Sequence, residues 1–157
     1  SYWKPFQSGE PDSERIRSYL PEVRVLRALA HFQEAVAPPL AAKNLGQEIP
    51  FASELIAHVP KVESPLLIET FGGPFSPLND HELQLELVKK LDAASVLVSP
   101  SSVGAVGRVV GQFRGMLAEN YLCNAVVLLG PCDPYAENEI AKHTGVKVFS
   151  LPTPTNW

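Results

Sequence analysis

The chain has 157 residues, 45% of them hydrophobic and 19% charged, with a formal net charge of −4. That length and balance suit one globular domain with a sizeable core and exclude a disordered or fibrous chain. Charges of both signs are interspersed, which argues against broad binding to nucleic acid or an anionic membrane, and no apolar run reaches transmembrane length. The two cysteines, Cys123 and Cys132, lack the spacing of a metal knuckle or a redox pair, so two free thiols are expected.

The chain opens as Ser1-Tyr2-Trp3-Lys4, a strand-like run with no initiator Met, which leads us to expect a domain incomplete at its N-terminus. Gln7 to Ser18 reads as a polar loop entering a helix. Pro21 to Ala30 suits a helix with Pro in its first turn. Pro38 to Leu45 is a shorter helix stopped by Gly46, and Pro50 to Val59 another. Leu66 to Glu69 is a strand. Asn79-Asp80 offers an N-cap for a helix over His81–Leu91, with Leu83, Leu87, Val88 and Leu91 as its apolar stripe.

Ser95–Ser99 is again a strand. Gly104–Asn120 is a helix presenting Val106, Val109, Val110, Phe113 and Leu117. Its glycines Gly104, Gly107, Gly111 and Gly115 suggest close helix packing. Ala125–Leu129 is a strand, Pro134–Thr144 a helix closed by Gly145, and Val146–Ser150 a last strand. Strands that alternate with helices and read as continuous apolar runs predict an α/β domain. Its expected form is an open, mostly parallel sheet with helices on both faces.

The segment richest in chemistry is Ile68-Glu69-Thr70-Phe71-Gly72-Gly73. It puts a carboxylate at the carboxyl end of a strand and two glycines in the following loop, where ligands collect in open α/β sheets. Glycine lets backbone N–H groups approach an anion, and a carboxylate beside them can hold magnesium against a phosphate. Lys4, also at a strand end, can reach a phosphate or carbamate oxygen. Ser8 adds a hydroxyl. Asp12 or Glu14 could complete a metal site with Glu69 if the fold brings the two strand ends together. His31, His58, His81 and His143 have no metal-ligand spacing, and Ser101-Ser102 reads as a helix start. A Walker A loop needs Gly-Lys, a dipeptide not found in these residues.

Several segments together resemble one family. Tyr2-Trp3-Lys4-Pro5-Phe6-Gln7-Ser8-Gly9 resembles the Y-x-K-P-[VI]-x-[ST]-G stretch of dethiobiotin synthetases. Glu34–Ala42 resembles their S-P-H-x-A-A segment, with Pro39 in place of the His. Ile68–Gly73 resembles V-E-[TG]-A-G-G, with Phe71 where the family has a small residue, and Ser76-Pro77-Leu78 resembles the S/T-P-L that follows. Val96–Val106 resembles the family strand and turn, with Gly107-Arg108 standing at a common Asn-His and Gly130-Pro131 at a common Asn.

The resemblance implies a P-loop α/β fold, here without its first strand and P-loop, usually as a homodimer in the cytoplasm. It implies an ATP- and Mg2+-dependent ligase that carboxylates 7,8-diaminononanoate with carbon dioxide and closes it to dethiobiotin in biotin biosynthesis. Lys4 and Ser8 then match the catalytic lysine and hydroxyl. Glu69 matches the metal-binding glutamate, and Glu14, or alternatively Asp12, the second metal-side acid. Gly72, Gly73, Pro77 and Leu78 match the substrate and phosphate pocket. The rival expectations are a non-catalytic relative acting as a binding or regulatory module, and a related P-loop synthetase with another substrate.

Overall fold

The computed structural model describes residues 1–153. They divide into two compact units, Ser1–Leu91 and a second that begins at Asp92. Among the described residues the named strands pair in parallel, in three separate sheets, and helices flank them. The α/β class expected from the alternating pattern is therefore present.

In the first unit, β1 (Tyr2–Trp3) pairs with β4 (Leu67–Ile68), and β2 (Phe6–Ser8) pairs with β3 (Ala30–Phe32). The helices are α1 (Asp12–Tyr19), α2 (Pro38–Asn44), α3 (Ala52–Leu55), which runs into a 3-10 turn, and α4 (Gln84–Leu91). Pro38 sits in the first turn of α2, where its missing N–H costs nothing. Phe6, Phe32, Ala41, Ala42, Ile49, Ala52, Leu55, Leu78 and Leu87 form the apolar core.

Pro21 to Ala30 is not the helix its proline suggested. Pro21–Val23 makes a turn, with Val23 N–H donating to Leu20 O, and the chain from Arg24 on runs beside β1 and Pro5. Tyr2 N–H donates to Arg24 O, Leu26 N–H to Tyr2 O, and Leu29 N–H to Pro5 O. Val25 is β-branched and favours an extended backbone. Pairing with the chain's first residues satisfies the main-chain groups that a helix would have satisfied internally. The same pairing continues into β2 and β3, two short strands that periodicity did not reveal.

The helix expected over His81–Leu91 begins three residues later. Asn79 Oδ1 caps the N–H groups of His81 and Glu82 at 2.9 and 2.8 Å, but Leu83 then bridges Pro77 in extended form. Leu85 and Leu87 carry the buried stripe, whereas Leu83 is exposed.

In the second unit, β5 (Val96–Pro100), β6 (Ala125–Leu129) and β7 (Lys147–Leu151) align in register, Val96 with Ala125 and Ala125 with Lys147. α5 (Ala105–Ala118) packs on β5 and on α6 (Pro134–Thr144), and α6 packs on β7. The buried face of α5 is Ala105, Val109, Phe113 and Met116. The expected face is thus rotated, because Leu117 is half exposed. The expected close packing at the α5 glycines fails at Gly107 and Gly111, where an added Cβ would meet no atom within 4 Å. Cys123 and Cys132 are free thiols. No helix among the described residues is long and apolar enough to cross a membrane.

Candidate active site

Parallel pairing of β1 with β4 brings two strand ends together. Trp3 is opposite Ile68, and Glu69 N–H donates to Trp3 O at 2.9 Å. Lys4 and Glu69 therefore emerge side by side at the carboxyl edge. Lys4 Nζ donates to Glu69 Oε1 at 2.7 Å and to Asp12 Oδ2 at 2.5 Å. Tyr2 Oη donates to the other carboxylate oxygen, Glu69 Oε2, at 2.6 Å. Tyr2 and Lys4 are two apart on an extended chain and share one side of it. That spacing was the available signal for Tyr2, a site residue to which sequence reasoning assigned no role.

Of the two acids considered beside Lys4, the structure delivers Asp12. It is the first residue of α1, where a negative charge also favours the helix dipole. Glu14 lies two residues further along α1, exposed to solvent. α1 is anchored from below by Gln7, which is buried and whose Oε1 accepts the Ser13 N–H at 3.1 Å.

The cluster is asymmetric in exposure. The Lys4 side chain is 13% exposed, against 45% for Asp12 and 44% for Glu69. Burial pulls the Lys4 ammonium down, but hydrogen bonds to Asp12 and Glu69 outweigh it and leave the pKa above the ordinary lysine value. Burial, with the hydrogen bond to Glu69 and the neighbouring negative charges, also pushes the Tyr2 phenol well above its ordinary value. At neutral pH the centre is a fixed cation, two reachable carboxylates and a neutral phenol.

Ser8 ends β2, opposite Phe32 in the neighbouring strand. It is half-buried and stands outside the hydrogen bonds that join Lys4, Asp12, Glu69 and Tyr2.

Gly72 has φ +65, and a Cβ there would fall 2.5 Å from Ser76 Oγ. Gly73 N–H donates to that hydroxyl at 3.0 Å, so this N–H is engaged within the turn. The turn is tied to α4 by Leu85 N–H to Pro74 O and Gln84 N–H to Ser76 O. Phe71 turns its ring inward and meets Phe6 edge to face, with centroids 6.2 Å apart. Pro77 bridges Leu83, and Leu78 is wholly buried in the core, supporting the loop from beneath.

In the second unit, the β5–α5 loop is closed by Arg108. Its guanidinium donates to the carbonyl oxygens of Pro100, Ser102 and Val103. Ser101 Oγ donates to Pro131 O. The Ser101 hydroxyl is spent on a main-chain carbonyl, and the Arg108 guanidinium on three main-chain carbonyls and the Ser102 hydroxyl.

The AAA domain family model matches residues 1–152. The chain is 34% identical to the ATP-dependent dethiobiotin synthetase BioD of Cytophaga hutchinsonii, over 98% of this chain and 75% of that protein. The BioD of Leptospira interrogans is 30% identical over 88% of this chain and 64% of its own length. The BioD of Paramagnetospirillum magneticum is 26% identical over 95% and 73%. Matches of this extent join the Lys4–Glu69 strand ends to a known lineage: the chain belongs to the dethiobiotin synthetase family.

Proposed function

We propose that this protein carboxylates 7,8-diaminononanoate with carbon dioxide and closes the product to dethiobiotin, with ATP converted to ADP and phosphate. The supporting observation is the recessed Lys4 ammonium held between two reachable carboxylates at paired strand ends. An ammonium has three N–H donors. Asp12 and Glu69 take two of them, which leaves a third to meet an anionic oxygen.

In the proposed reaction, one substrate amine adds to carbon dioxide and forms a carbamate anion. A carbamate oxygen takes the γ-phosphoryl group of ATP, and the second amine attacks the carbonyl carbon as phosphate leaves. Negative charge gathers on the carbamate and the transferring phosphoryl group. A fixed cation already aimed at that charge lowers the barrier without reorganising. The raised pKa of Lys4 keeps it charged, so it acts as a donor and not as a base.

Magnesium is commonly held by one or two carboxylates, with phosphate and water as its remaining ligands. Asp12 and Glu69 fit that demand, each with nearly half of its side chain accessible. Among the described residues no three His, Cys, Asp or Glu side chains gather as a metal cage. The ion, when bound, supplies positive charge to phosphate oxygens. Lys4 also offsets the repulsion between the two acids before an ion arrives. Ser8 would meet a substrate nitrogen, and the Gly72–Gly73 turn with Pro77 would form a wall of the pocket. The protein would work in the cytoplasm as a homodimer.

The test supplies the full protein with ATP, magnesium, bicarbonate and diaminononanoate. Phosphate release that depends on the diamine, with dethiobiotin detected by mass, is expected. Phosphate release indifferent to the diamine, or none, overturns the reading.

A further inference from the structure

Asp12 reaches Lys4 only because the connection from β2 to α1 takes a particular path, and two side chains on one face of the β2–β3 ladder hold that path. Gln7 and His31 are register partners, so their side chains leave the same face of the ladder. Gln7 Oε1 accepts the N–H of Ser13, the residue after Asp12, at 3.1 Å. His31 Nε2 lies 2.7 Å from Gly9 O. A carbonyl oxygen can only accept, so this contact requires the proton on Nε2.

The Gly9 end of the connection is held by a second hydrogen bond and takes a left-handed backbone shape. Gly9 N–H donates to Phe32 O at 2.9 Å, and Gly9 has φ +66. A Cβ on Gly9 would lie 2.9 Å from Ala35 Cβ. The turn thus takes a backbone shape that ordinary residues avoid, and β3 grips it through both its main chain and the imidazole. Between these two anchors lie only Glu10, Pro11 and Asp12.

We propose that His31 is a positioning residue. By donating from Nε2 to Gly9 O, it sets the Ser8–Asp12 connection so that Asp12 meets Lys4 and Ser8 faces its substrate group. His31 does not touch the reacting atoms in this scheme. The proposal deepens the proposed dethiobiotin-forming activity and rests on it for its kinetic consequence, though not for its structural one.

The experiment compares the full protein with His31→Leu, which fills similar space without a donor, and His31→Gln, whose amide can donate to the same carbonyl. Amide hydrogen exchange reads the clamp directly. In His31→Leu the Gly9 and Ser13 amides should exchange roughly five- to tenfold faster, as loss of one hydrogen bond implies, while β6 amides keep their native rates. Turnover should fall by a similar factor in kcat with KM for ATP little changed, and His31→Gln should recover most of both. Native exchange at Gly9 and Ser13 in His31→Leu overturns the clamp, whatever happens to turnover. Faster exchange with native kcat overturns the positioning role, and so does a His31→Gln protein as impaired as His31→Leu. If the unmodified protein releases no diamine-dependent phosphate, the catalytic reading falls. The proposal is then decided on exchange and on the Asp12–Lys4 distance in a crystal of His31→Leu, which should lengthen beyond hydrogen-bonding range; an unchanged distance overturns it.

Discussion

The two units end their parallel strands in different ways. In the first, the carboxyl edge of β1 and β4 carries a cation and two carboxylates, with Tyr2 bound to one of them. In the second, the corresponding edge is tied together by main-chain bonds and by the Arg108 guanidinium on Pro100 O. Ser101 N–H reaches Leu129 O, and Gly130 N–H reaches Leu151 O. Charge that is partly withdrawn from water is costly and persists only when paired. The first unit concentrates that cost at one point, whereas the second uses its polar groups to close loops. The sheets differ as well. One face of the β5–β6–β7 ladder is covered by α5 and α6, while Val96, Val98, Phe149 and Leu151 on the other are half exposed. Parallel strands are usually covered on both faces.

Removing the cation should produce the largest effect. Lys4→Met should lower kcat by about two to three orders of magnitude, the usual consequence of deleting one preorganised charge-stabilising donor. Steady-state kinetics with saturating ATP, magnesium and diamine would measure it, and a change below tenfold would place the chemistry elsewhere. Next in size are the carboxylates. Glu69→Gln and Asp12→Asn should each weaken magnesium activation by roughly ten- to a hundredfold, read as the magnesium concentration for half-maximal rate. Glu14→Gln should stay within about twofold. The reverse order of Asp12 and Glu14 would break the geometry described for α1.

Much of this contrast was legible in the residues, for identifiable reasons. The second-unit strands are legible to within a residue or two because Val96–Val98 and Ala125–Leu129 are unbroken apolar runs. Lys4 and Glu69 each follow a strand, which marks them in the sequence, and the meeting of their side chains needs only that the two strands be neighbours. That adjacency is a long-range fact which no local window contains. The choice of Asp12 over Glu14 depends on where α1 starts; Gln7 holds that start at Ser13, and His31, on the neighbouring strand, holds the Gly9 end of the connection that leads to it. Pro21–Ala30 departs from its local pattern for the same reason. Its local pattern permits a helix, and pairing with Tyr2 and Pro5 overrides that preference. β2 and β3 are three residues each, too short to show a period.

Backbone shape supplies the next pair of tests. Gly9→Ala and Gly72→Ala each put a Cβ on a residue with positive φ, close to Ala35 Cβ in one case and to Ser76 Oγ in the other. Each should cost about 1–3 kcal/mol of stability. Gly9→Ala should also lose turnover out of proportion to stability, because it disturbs the connection that carries Asp12. Denaturant unfolding paired with kinetics separates the two effects. Equal losses of both in the two variants would argue against a special role for that connection.

The smallest expected effects concern pH and the second unit, and they sharpen the comparison from opposite sides. Tyr2 and Lys4 both have folded pKa values above their unfolded ones. In each case the folded state keeps a proton that the unfolded chain releases as pH rises through the unfolded pKa. Their contribution is therefore whole below about pH 10 and is lost above it, through the folded pKa values. Unfolding free energy should fall on the alkaline side, and Tyr2→Phe should flatten part of that fall. An identical alkaline profile in Tyr2→Phe would mean that burial and the Glu69 hydrogen bond do not hold the phenol's proton as described. Ile140→Val, in the fully buried face of α6, should cost about 1 kcal/mol at every pH and leave kcat unchanged. It deletes one methylene from a core that carries no charge, so its effect on stability has no titrating partner. A kcat loss in Ile140→Val comparable to that of Lys4→Met would show that the second unit takes part in the chemistry, and the division of labour between the two strand edges would have to be withdrawn.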